Sequence, residues 1–462
     1  MILQKGMVAG MASQETPRAI VLEMLLLAEK EQEFSNQLSA DILNKYDYFK
    51  QQDKAFVNRL FTGCVERRIE LDHVINSYAG TKTNRMKPVV RNALRMGVYQ
   101  LLYMDRVPES AACNETVRLV RMRGLGGLAG FVNGTMRSIA RNLETLRNRK
   151  APETEEELSI AYSMPEWIVN RLIRQYGRET AETVMRDMLQ EKPVTIRMDE
   201  RLNREEQATL ARKIADAGIL IDQHPYLAYA YTLQHIDGMY RVPGFAEGQI
   251  QVADVSSMLV AEIAGVPKGG RILDTCAAPG GKTLHVAAKL GGTGSVLARD
   301  VSEYKVGLIR ENVDRMQYTN VTTQVWDATV PDPDCVGKMD VVIVDAPCSG
   351  LGVIGKKADI KYHTSEEDIR GLSSIQRKIL SVVQEYVKPG GTLIYSTCTW
   401  TAEENWENRR WFLEHYAFEP ESIDPYIPEQ LRCGDSAEGH LQFLPGVHRT
   451  DGFYISRFRR CE

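Results

Sequence analysis

Two cysteines each follow a short apolar run that ends in a tight loop. The first run, 341–344, leads into Asp345-Ala346-Pro347-Cys348-Ser349-Gly350, and the second, 391–396, leads into Thr397-Cys398. Apolar runs that are bounded by turn residues and separated by a helical segment predict buried parallel strands. Because ligands of an open α/β sheet bind beyond the carboxyl ends of its strands, we expect both thiols and Asp345 to face one crevice. A thiol on an exposed loop can act as a nucleophile once its pKa is lowered.

A glycine-rich turn earlier in the chain predicts a ligand site beside these thiols. The predicted strand 271–274 leads into Cys276-Ala277-Ala278-Pro279-Gly280-Gly281-Lys282, and a helix follows from Thr283. Glycines let a ligand approach the backbone, and a helix start offers unpaired N–H groups. The turn is not G-x-G-x-x-G, and it lacks the earlier glycine that a phosphate-binding loop needs. Phosphate binding is therefore not favoured.

Aspartates end four successive predicted strands of the same region. They are Asp274, Asp300, Asp327 and Asp345. Asp300 can accept hydrogen bonds from ribose hydroxyls, and Asp327 can reach an adenine edge. One such aspartate is commonly a helix cap, but four in succession favour a nucleoside pocket. S-adenosylmethionine, an adenosine ligand without phosphates, fits this pattern better than NAD, and we predict it as the cofactor.

A thiol beside a methyl sulfonium points to addition to a pyrimidine. C5 of cytosine is a poor nucleophile, but thiolate attack at C6 converts the ring into an enamine that can take a methyl group. Asp345 near N3 could support the developing charge, and the second thiol could act as an acid or base during release. The residues alone do not rank Cys348 and Cys398. The alternative is two buried small hydrophobes, but the convergence of two such loops favours reactive thiols.

The rest of the chain predicts three domains around these loops. Residues 1–150 show helical periodicity throughout and predict an all-α bundle. Residues 151–245 predict an acidic linker, 151–157, and a small α+β unit. Residues 246–462 alternate strand and helix, which predicts a doubly wound α/β domain, with a closing hairpin from 441–444 and 452–458.

Charge is distributed unevenly between these regions. Residues 1–150 carry 23 basic and 15 acidic side chains, a formal charge of +8, whereas the remainder carries a charge of -12. Arg91 and Arg95 stand four apart, and Arg118 and Arg121 stand three apart, so each pair is expected to share a helix face. A solubilising helix surface would explain the charge balance alone, but the paired arginines favour contact with a nucleic-acid backbone.

Several classes of protein are disfavoured. No apolar run approaches the roughly 18 residues of a membrane span, and Met1–Ser13 lacks a signal-peptide pattern, so we expect a cytoplasmic protein without membrane contact. The eight cysteines include no C-x-x-C pair, and the eight histidines do not fall at metal-ligand spacing. We therefore predict neither disulfides nor a metal, and we expect a monomer.

The motifs resemble the Sun/NOL1/NOP2 family of RNA cytosine-5 methyltransferases. The resemblance rests on Asp345–Gly350, on Asp359-Ile360-Lys361, on Tyr395–Cys398 and on Glu403-Glu404-Asn405. Residues 276–282 resemble the S-adenosylmethionine loop of that family, and its fold implies a Rossmann-like domain. The helical region resembles NusB, a combination similar to bacterial methyltransferases that modify 16S rRNA.

The resemblance also implies roles for single residues. It makes Cys398 the attacking thiol and Cys348 the thiol that assists release, and it implies cofactor contacts from 276–282, Asp300, Asp327 and Asp345. Two alternatives stay open at this point. The same chemistry could act on transfer RNA, or the chain could be a non-catalytic, NusB-like RNA-binding assembly factor.

Overall fold

A computed structural model describes residues 16–31 and 49–462, which form two compact units. The first unit comprises Met1–Leu189 and Lys357–His363, and the second comprises Gln190–Lys356 and Thr364–Glu462. The predicted domain limits at 150 and 245 stay predictions. The interpretation of Met1–Ser13 lies outside the described residues. None of the helices in the described ranges combines the length and apolar character that crossing a membrane requires.

The described part of the first unit is helical, and its helices enclose an apolar core that includes Leu22, Phe61, Leu94 and Val132. Thr16 caps the first helix, because its Oγ1 accepts a hydrogen bond from the Ala19 N–H at 3.3 Å. The helices are α1 (Pro17–Glu31), α2 (Gln51–Glu66), α3 (Arg68–Tyr78), α4 (Pro88–Tyr103), α5 (Glu109–Met122), α6 (Ala129–Arg141), α7 (Leu143–Arg147), α8 (Glu155–Ala161), α9 (Glu166–Tyr176) and α10 (Arg178–Met188).

The predicted acidic linker is wrong over its last three residues. Glu155, Glu156 and Glu157 form the first turn of α8. Thr154 Oγ1 accepts a hydrogen bond from the Glu157 N–H at 3.2 Å, and Glu157 Oε2 accepts one from the Thr154 N–H at 3.1 Å. Acidic side chains are favourable at the positive end of a helix, so the charge run that suggested a linker in fact begins a helix.

Arg95 does not offer its charge to a nucleic acid. Only 6% of the residue is exposed. Its Nε and Nη2 donate to the two carboxylate oxygens of Asp72 at 2.7 and 2.6 Å, and its Nη1 donates to Glu29 at 2.7 Å. Arg91 also donates to Glu29, at 2.7 Å. The prediction that Arg95 contacts a nucleic acid together with Arg91 is therefore wrong. A charged side chain on a helix can be buried in the core when carboxylates form ion pairs with it.

The second unit begins with a small antiparallel sheet covered by a helix. The sheet has the strand order β2-β3-β1-β4, and its helix begins at a capping box in which Asn203 accepts from Glu206 N–H at 3.0 Å. The elements are β1 (Val194–Met198), α11 (Arg204–Asp216), β2 (Leu220–Gln223), β3 (Ala230–Gln234) and β4 (Ile250–Val252). This is the α+β unit that the change of period predicted.

A larger sheet forms the rest of the second unit. Its order is β10-β12-β9-β8-β5-β6-β7, with β11 paired to β12. Strands β5 to β9 are parallel, and β12 runs antiparallel to β9. The elements are α12 (Val255–Ala264), β5 (Arg271–Asp274), α13 (Gly281–Lys289), β6 (Ser295–Asp300), α14 (Glu303–Met316), β7 (Val321–Val325), β8 (Met339–Asp345), α15 (Glu366–Val383), β9 (Val387–Thr397), α16 (Trp406–His415), β10 (Phe418–Pro420), α17 (Gly434–Ala437), β11 (His440–Phe443) and β12 (Phe453–Arg460).

The predicted hairpin near the end of the chain is confirmed. Leu441 pairs with Ile455, and Phe443 pairs with Phe453, in an antiparallel register. Because β12 also pairs with β9, the hairpin covers the edge of the strand that leads to Cys398. The hairpin therefore makes β9 an internal strand and fixes where it ends.

Candidate active site

The sheet brings the two cysteine loops to one edge. Strands β8 and β9 are parallel neighbours in which Val344 pairs with Tyr395 and Asp345 with Ser396. Both strands leave the sheet within three residues of a cysteine, so the two loops start side by side. The Ala346 N–H donates to the Ser396 carbonyl at 2.9 Å and joins the two chains beyond their last paired residues.

The two sulfurs face each other. Cys348 Sγ and Cys398 Sγ lie 3.3 Å apart, and both residues are partly exposed. A disulfide needs a sulfur separation of about 2.05 Å, so these are two thiols that share a hydrogen bond. Neither thiol is sealed in the interior, and the expectation that the two loops converge is met.

The surroundings of Cys348 make its thiol hard to deprotonate. The hydrogen bond with Cys398, together with burial, raises the pKa of Cys348 well above its usual range, and the charge of Glu404 acts in the same direction. Two thiolates at this separation would repel each other, so removal of the first proton makes removal of the second harder. A pair that has lost one proton therefore consists of one thiolate that accepts a hydrogen bond from one thiol.

Asp345 lies at the end of β8 within a short polar network. Its Oδ2 accepts a hydrogen bond from Lys282 Nζ at 2.6 Å, and its Oδ1 accepts one from Ser396 Oγ at 2.8 Å. The Lys282 ammonium also lies 5.2 Å from the centre of the Phe453 ring. The network joins the end of the glycine-rich turn to the two strands that carry the thiols.

The glycine-rich turn is tied to the sheet by its backbone. The Ala277 N–H donates to the Arg299 carbonyl at 2.8 Å, and the Ala278 N–H donates to Asp300 Oδ2 at 3.0 Å. Gly280 has a φ of 103°, a value that favours glycine, and no side chain caps α13 after it. The unpaired N–H groups of this helix start can receive a carboxylate such as that of an amino-acid moiety, so the turn fits S-adenosylmethionine.

The strand-end aspartates differ in burial and in their hydrogen-bond partners. Asp274 has no exposed surface, its Oδ2 accepts from Thr283 Oγ1 at 2.7 Å, and burial raises its pKa to about 7. It supports the start of α13, and its predicted place in the pocket wall stays a prediction. Asp300 is 4% exposed, and its carboxylate also accepts from the Val301 N–H at 2.8 Å. Asp327 is exposed and accepts from the N–H and hydroxyl of Thr329, both at 2.8 Å.

Cys276 differs from the other two thiols of this region. It lies in the glycine-rich turn, and burial raises its pKa to about 12. A thiol of that kind stays protonated at neutral pH and is a poor nucleophile. Cys276 therefore shapes the turn and does not compete with the thiol pair.

Two consecutive residues support the thiol loops, and the residue pattern did not reveal their contacts. Glu404 accepts from the Ser349 N–H at 2.8 Å and from Ser349 Oγ at 2.6 Å, next to Cys348. Asn405 accepts from Thr397 Oγ1 at 2.5 Å and donates to the Thr399 carbonyl at 3.1 Å, on either side of Cys398. In the sequence, only their place in the motif Glu403-Glu404-Asn405 indicated that these two residues belong to the site.

A close backbone approach completes the site. The Gly352 N–H donates to the Cys398 carbonyl at 3.0 Å, and the Gly452 N–H donates to the Gly352 carbonyl at 2.9 Å. A Cβ atom on Gly352 would lie 2.0 Å from the Gly452 carbonyl oxygen. Glycine is required at position 352 because any side chain there would push the Cys398 loop away.

A group of possible metal ligands lies elsewhere in the second unit. Its ligand atoms, from Glu200, Glu262 and His285, lie within 4.8 Å of one another. The Lys289 ammonium lies 2.9 Å from Glu200 and 2.5 Å from Glu262, so a lysine already neutralises these carboxylates. The prediction that the protein uses no metal stays a prediction.

Three parts of the chain match known families. Residues 15–141 match the NusB family, residues 164–236 match the ferredoxin-like domain of RsmF/B-like methyltransferases, and residues 265–459 match the family described as 16S rRNA methyltransferase RsmB/F. The matches follow the order of the helical bundle, the small α+β unit and the doubly wound domain. They confirm the predicted fold class and the predicted resemblance.

Curated relatives span nearly the whole chain. The probable ribosomal RNA small subunit methyltransferase B of Bacillus subtilis (strain 168) is 35% identical over 455 residues, which cover 96% of this chain and 98% of the relative. The ribosomal RNA small subunit methyltransferase B of Proteus mirabilis (strain HI4320) is 32% identical over 421 residues, which cover 91% and 93%.

Solved structures share the fold. The crystal structure of PH0851 superposes with a TM-score of 0.77 at 25% identity and covers 97% of this chain and 100% of its own. The structure of NSun6 from Pyrococcus horikoshii with SFG has a TM-score of 0.57 at 20% identity and covers 64% of this chain and 98% of its own. The full-length relatives and the family match over residues 265–459 show that the chain belongs to the 16S rRNA methyltransferase RsmB/F family.

Proposed function

We propose that the chain transfers a methyl group from S-adenosylmethionine to C5 of a cytosine in 16S rRNA through a covalent bond between a cysteine and C6. The observation that carries this proposal is the 3.3 Å separation of Cys348 Sγ and Cys398 Sγ beside Asp345. Simple alkyl transfer needs no nucleophilic thiol, whereas a cytosine ring needs one before its C5 can attack. The names of the full-length relatives support rRNA as the substrate.

The cofactor supplies an electrophilic methyl group when it is bound. The start of α13 and Gly280 would hold its amino-acid moiety, and Asp300 and Asp327 lie where the adenosine would bind. Asp300 would have to give up part of its hydrogen bonding to the turn in order to reach a ribose hydroxyl. Lys282 would orient Asp345 through their 2.6 Å hydrogen bond.

The thiols divide the work on the cytosine ring. Cys398 as thiolate adds to C6, and the C5=C6 electron pair then forms the new bond from C5 to the methyl carbon. The bond from that carbon to the sulfonium of the donor breaks in the same step, and the donor leaves as a neutral thioether. Asp345 donates a proton at N3, which neutralises the negative charge that develops on the ring. Loss of the C5 proton to solvent restores the double bond and expels the Cys398 sulfur, which the Cys348 thiol stabilises by donating its hydrogen bond.

The test is a trapping experiment with a 16S rRNA transcript and S-adenosylmethionine. Cys398→Ala should abolish methyl transfer and form no adduct, because C6 has lost its nucleophile. Cys348→Ala should leave a protein-RNA adduct that survives a denaturing gel, because release is slowed. Cys433→Ala, at an exposed cysteine, is the matched control and should behave as the unmodified chain. An adduct in Cys398→Ala and none in Cys348→Ala would reverse the assignment of roles.

A second measurement tests the substrate. Bisulfite sequencing of 16S rRNA and transfer RNA from a deletion strain should show the loss of a methylated cytosine in 16S rRNA alone. Loss confined to transfer RNA would contradict the proposed substrate and leave the chemistry standing.

A further inference from the structure

The two thiol loops are supported by neighbouring residues that differ by one charge. Glu404 contacts the loop of Cys348 through Ser349, and Asn405 contacts the loop of Cys398 through Thr397 and Thr399. Both residues are buried, with 0% and 1% of their surfaces exposed. An acidic side chain therefore holds the loop of Cys348, and a neutral amide holds the loop of Cys398.

Four hydrogen-bond donors surround the side-chain oxygens of Glu404. All four groups that contact its side-chain oxygens donate: the Ser349 N–H, Ser349 Oγ, Gln376 Nε2 and Thr401 Oγ1, at 2.8, 2.6, 3.1 and 2.6 Å. The lone pairs of the two carboxyl oxygens can accept all four of these hydrogen bonds. Four donors match the lone pairs of the anion.

The charge of Glu404 is not neutralised by an ion pair. Across residues 49–462, no salt bridge joins Glu404 to a lysine, an arginine or a histidine, and its four partners are neutral. A buried charge without a counter-ion acts over a longer distance than a paired one, because the surrounding protein screens it weakly. Its negative field disfavours a second negative charge nearby.

The ionisable groups that face Cys348 are few. Cys398 shares its hydrogen bond, Glu404 lies behind it, and Tyr395 lies on the adjacent strand with its hydroxyl donating to the Glu404 carbonyl at 2.5 Å. Burial raises the pKa of Tyr395 well above its usual range, so that residue stays neutral. Glu404 is thus the acidic side chain that hydrogen-bonds to the residue next to Cys348.

We propose that Glu404 is a positioning residue that assigns the shared proton of the thiol pair to Cys348, so that Cys398 is the sulfur that becomes the thiolate. When the pair loses one proton to solvent, the charge settles on Cys398, because Glu404 contacts Ser349, the residue next to Cys348, and the Cys348 S–H donates to the thiolate. Asn405 holds the Cys398 loop without adding charge. The proposal deepens the proposed function, and its relevance to methyl transfer rests on that function.

The experiment follows thiol titration without RNA or methyl donor. In a Cys398→Ala background, the rate at which iodoacetamide alkylates Cys348 is measured against pH by peptide mass spectrometry. Adding Glu404→Gln should shift the half-maximal pH downward by about one unit or more, since a like charge has been removed. Glu407→Gln makes the same charge change three residues farther along, at a residue outside the site, and should cause no shift.

Two outcomes would overturn the proposal. An unchanged alkylation profile in the folded Glu404→Gln variant would show that its charge does not act on Cys348. If that variant does not fold, the Cys398→Ala chain alone still decides, because Cys348 should titrate above a normal thiol value of about 8.5 while Glu404 is present. Titration at or below that value would also contradict the proposal.

Methyl transfer by the single Glu404→Gln variant gives the functional readout. Its kcat should fall by about tenfold or more with KM for RNA unchanged, since binding does not involve the buried carboxylate. Glu404→Asp, which keeps the charge, should keep the alkylation profile of Cys348. A shifted alkylation profile in a chain that modifies no cytosine would support the role of Glu404 and count against the proposed function, so the two can fail separately.

Discussion

Arg95 in the first unit and Glu404 in the second are both buried charges, but their surroundings differ. Two carboxylates, Asp72 and Glu29, meet the guanidinium of Arg95 at 2.6 to 2.7 Å. Glu404 has four neutral donors and a reactive thiol nearby. The first arrangement cancels the charge locally, whereas the second leaves its field to act on a neighbour.

This difference separates a structural charge from one that can influence chemistry. A compensated ion pair holds helices together, and breaking it exposes the full cost of the partner charges. Burial of a carboxylate without a counter-ion costs more free energy than burial of an ion pair. Such groups are found at functional sites, where they shift the pKa of a neighbouring group. Removal of the Arg95 charge is therefore expected to lower the stability of the helical unit, whereas removal of the Glu404 charge is expected to shift the ionisation of Cys348.

The largest loss of stability is expected for Arg95→Met. The change leaves Asp72 and Glu29 without their buried cation, so the helical unit should lose about 3–5 kcal/mol of stability. Hydrogen exchange of the amides in α3 and α4 measures it. Arg121→Met is the matched control, since Arg121 is exposed, and it should change stability by less than about 0.5 kcal/mol. Equal effects of the two changes would show that Arg95 is not a structural charge.

A smaller effect, on activity, is expected for Gly352→Ala. The new Cβ would lie 2.0 Å from the Gly452 oxygen and 2.8 Å from the Cys398 oxygen, so the loop that carries Cys398 must move. A displacement of about 1 Å should lower kcat roughly 100-fold. Gly371→Ala, where a Cβ meets no atom within 4 Å, is the control and should retain activity. Full activity of Gly352→Ala would mean that the close approach does not position the thiol.

The smallest effect concerns His285, a buried group that is neutral at pH 7. It is 1% exposed, and burial together with the charge of Arg197 lowers its pKa to about 4. Between that value and the unfolded value of about 6.5, the unfolded chain binds a proton that the folded chain does not, so the free energy of unfolding falls as the pH falls. We expect a loss of about 1 kcal/mol from pH 7 to 5.5.

Urea unfolding gives the free energy of unfolding at pH 7 and at pH 5.5 for the wild type and for His285→Gln. The change with pH in the wild type minus the change in the variant is the contribution of His285. The variant should lack that part of the pH dependence. A wild-type chain that gains stability on acidification relative to the variant would give the wrong sign, and would mean that His285 is protonated in the fold.

The strand patterns predicted which residues meet in the folded chain, whereas the helix patterns did not predict which helix face is buried. The runs at 341–344 and 391–396 indicated strands, and because parallel strands end at a common edge, the convergence of Cys348 and Cys398 followed from the sequence. The spacing of Arg91 and Arg95 correctly indicated one helix face but not whether that face points outward. Asp274 ends its strand as predicted, but the sequence did not reveal that its buried side chain accepts a hydrogen bond from Thr283.

The sequence by itself determined the order of domains, the five parallel strands, the closing hairpin and the meeting of two thiols at one edge, because these depend on local periodicity and on rules of strand connection. Only the tertiary structure decided which charges are cancelled and which are left uncompensated. That outcome depends on contacts between residues far apart in the chain, such as Glu29 with Arg95 and Ser349 with Glu404, and no local pattern encodes them.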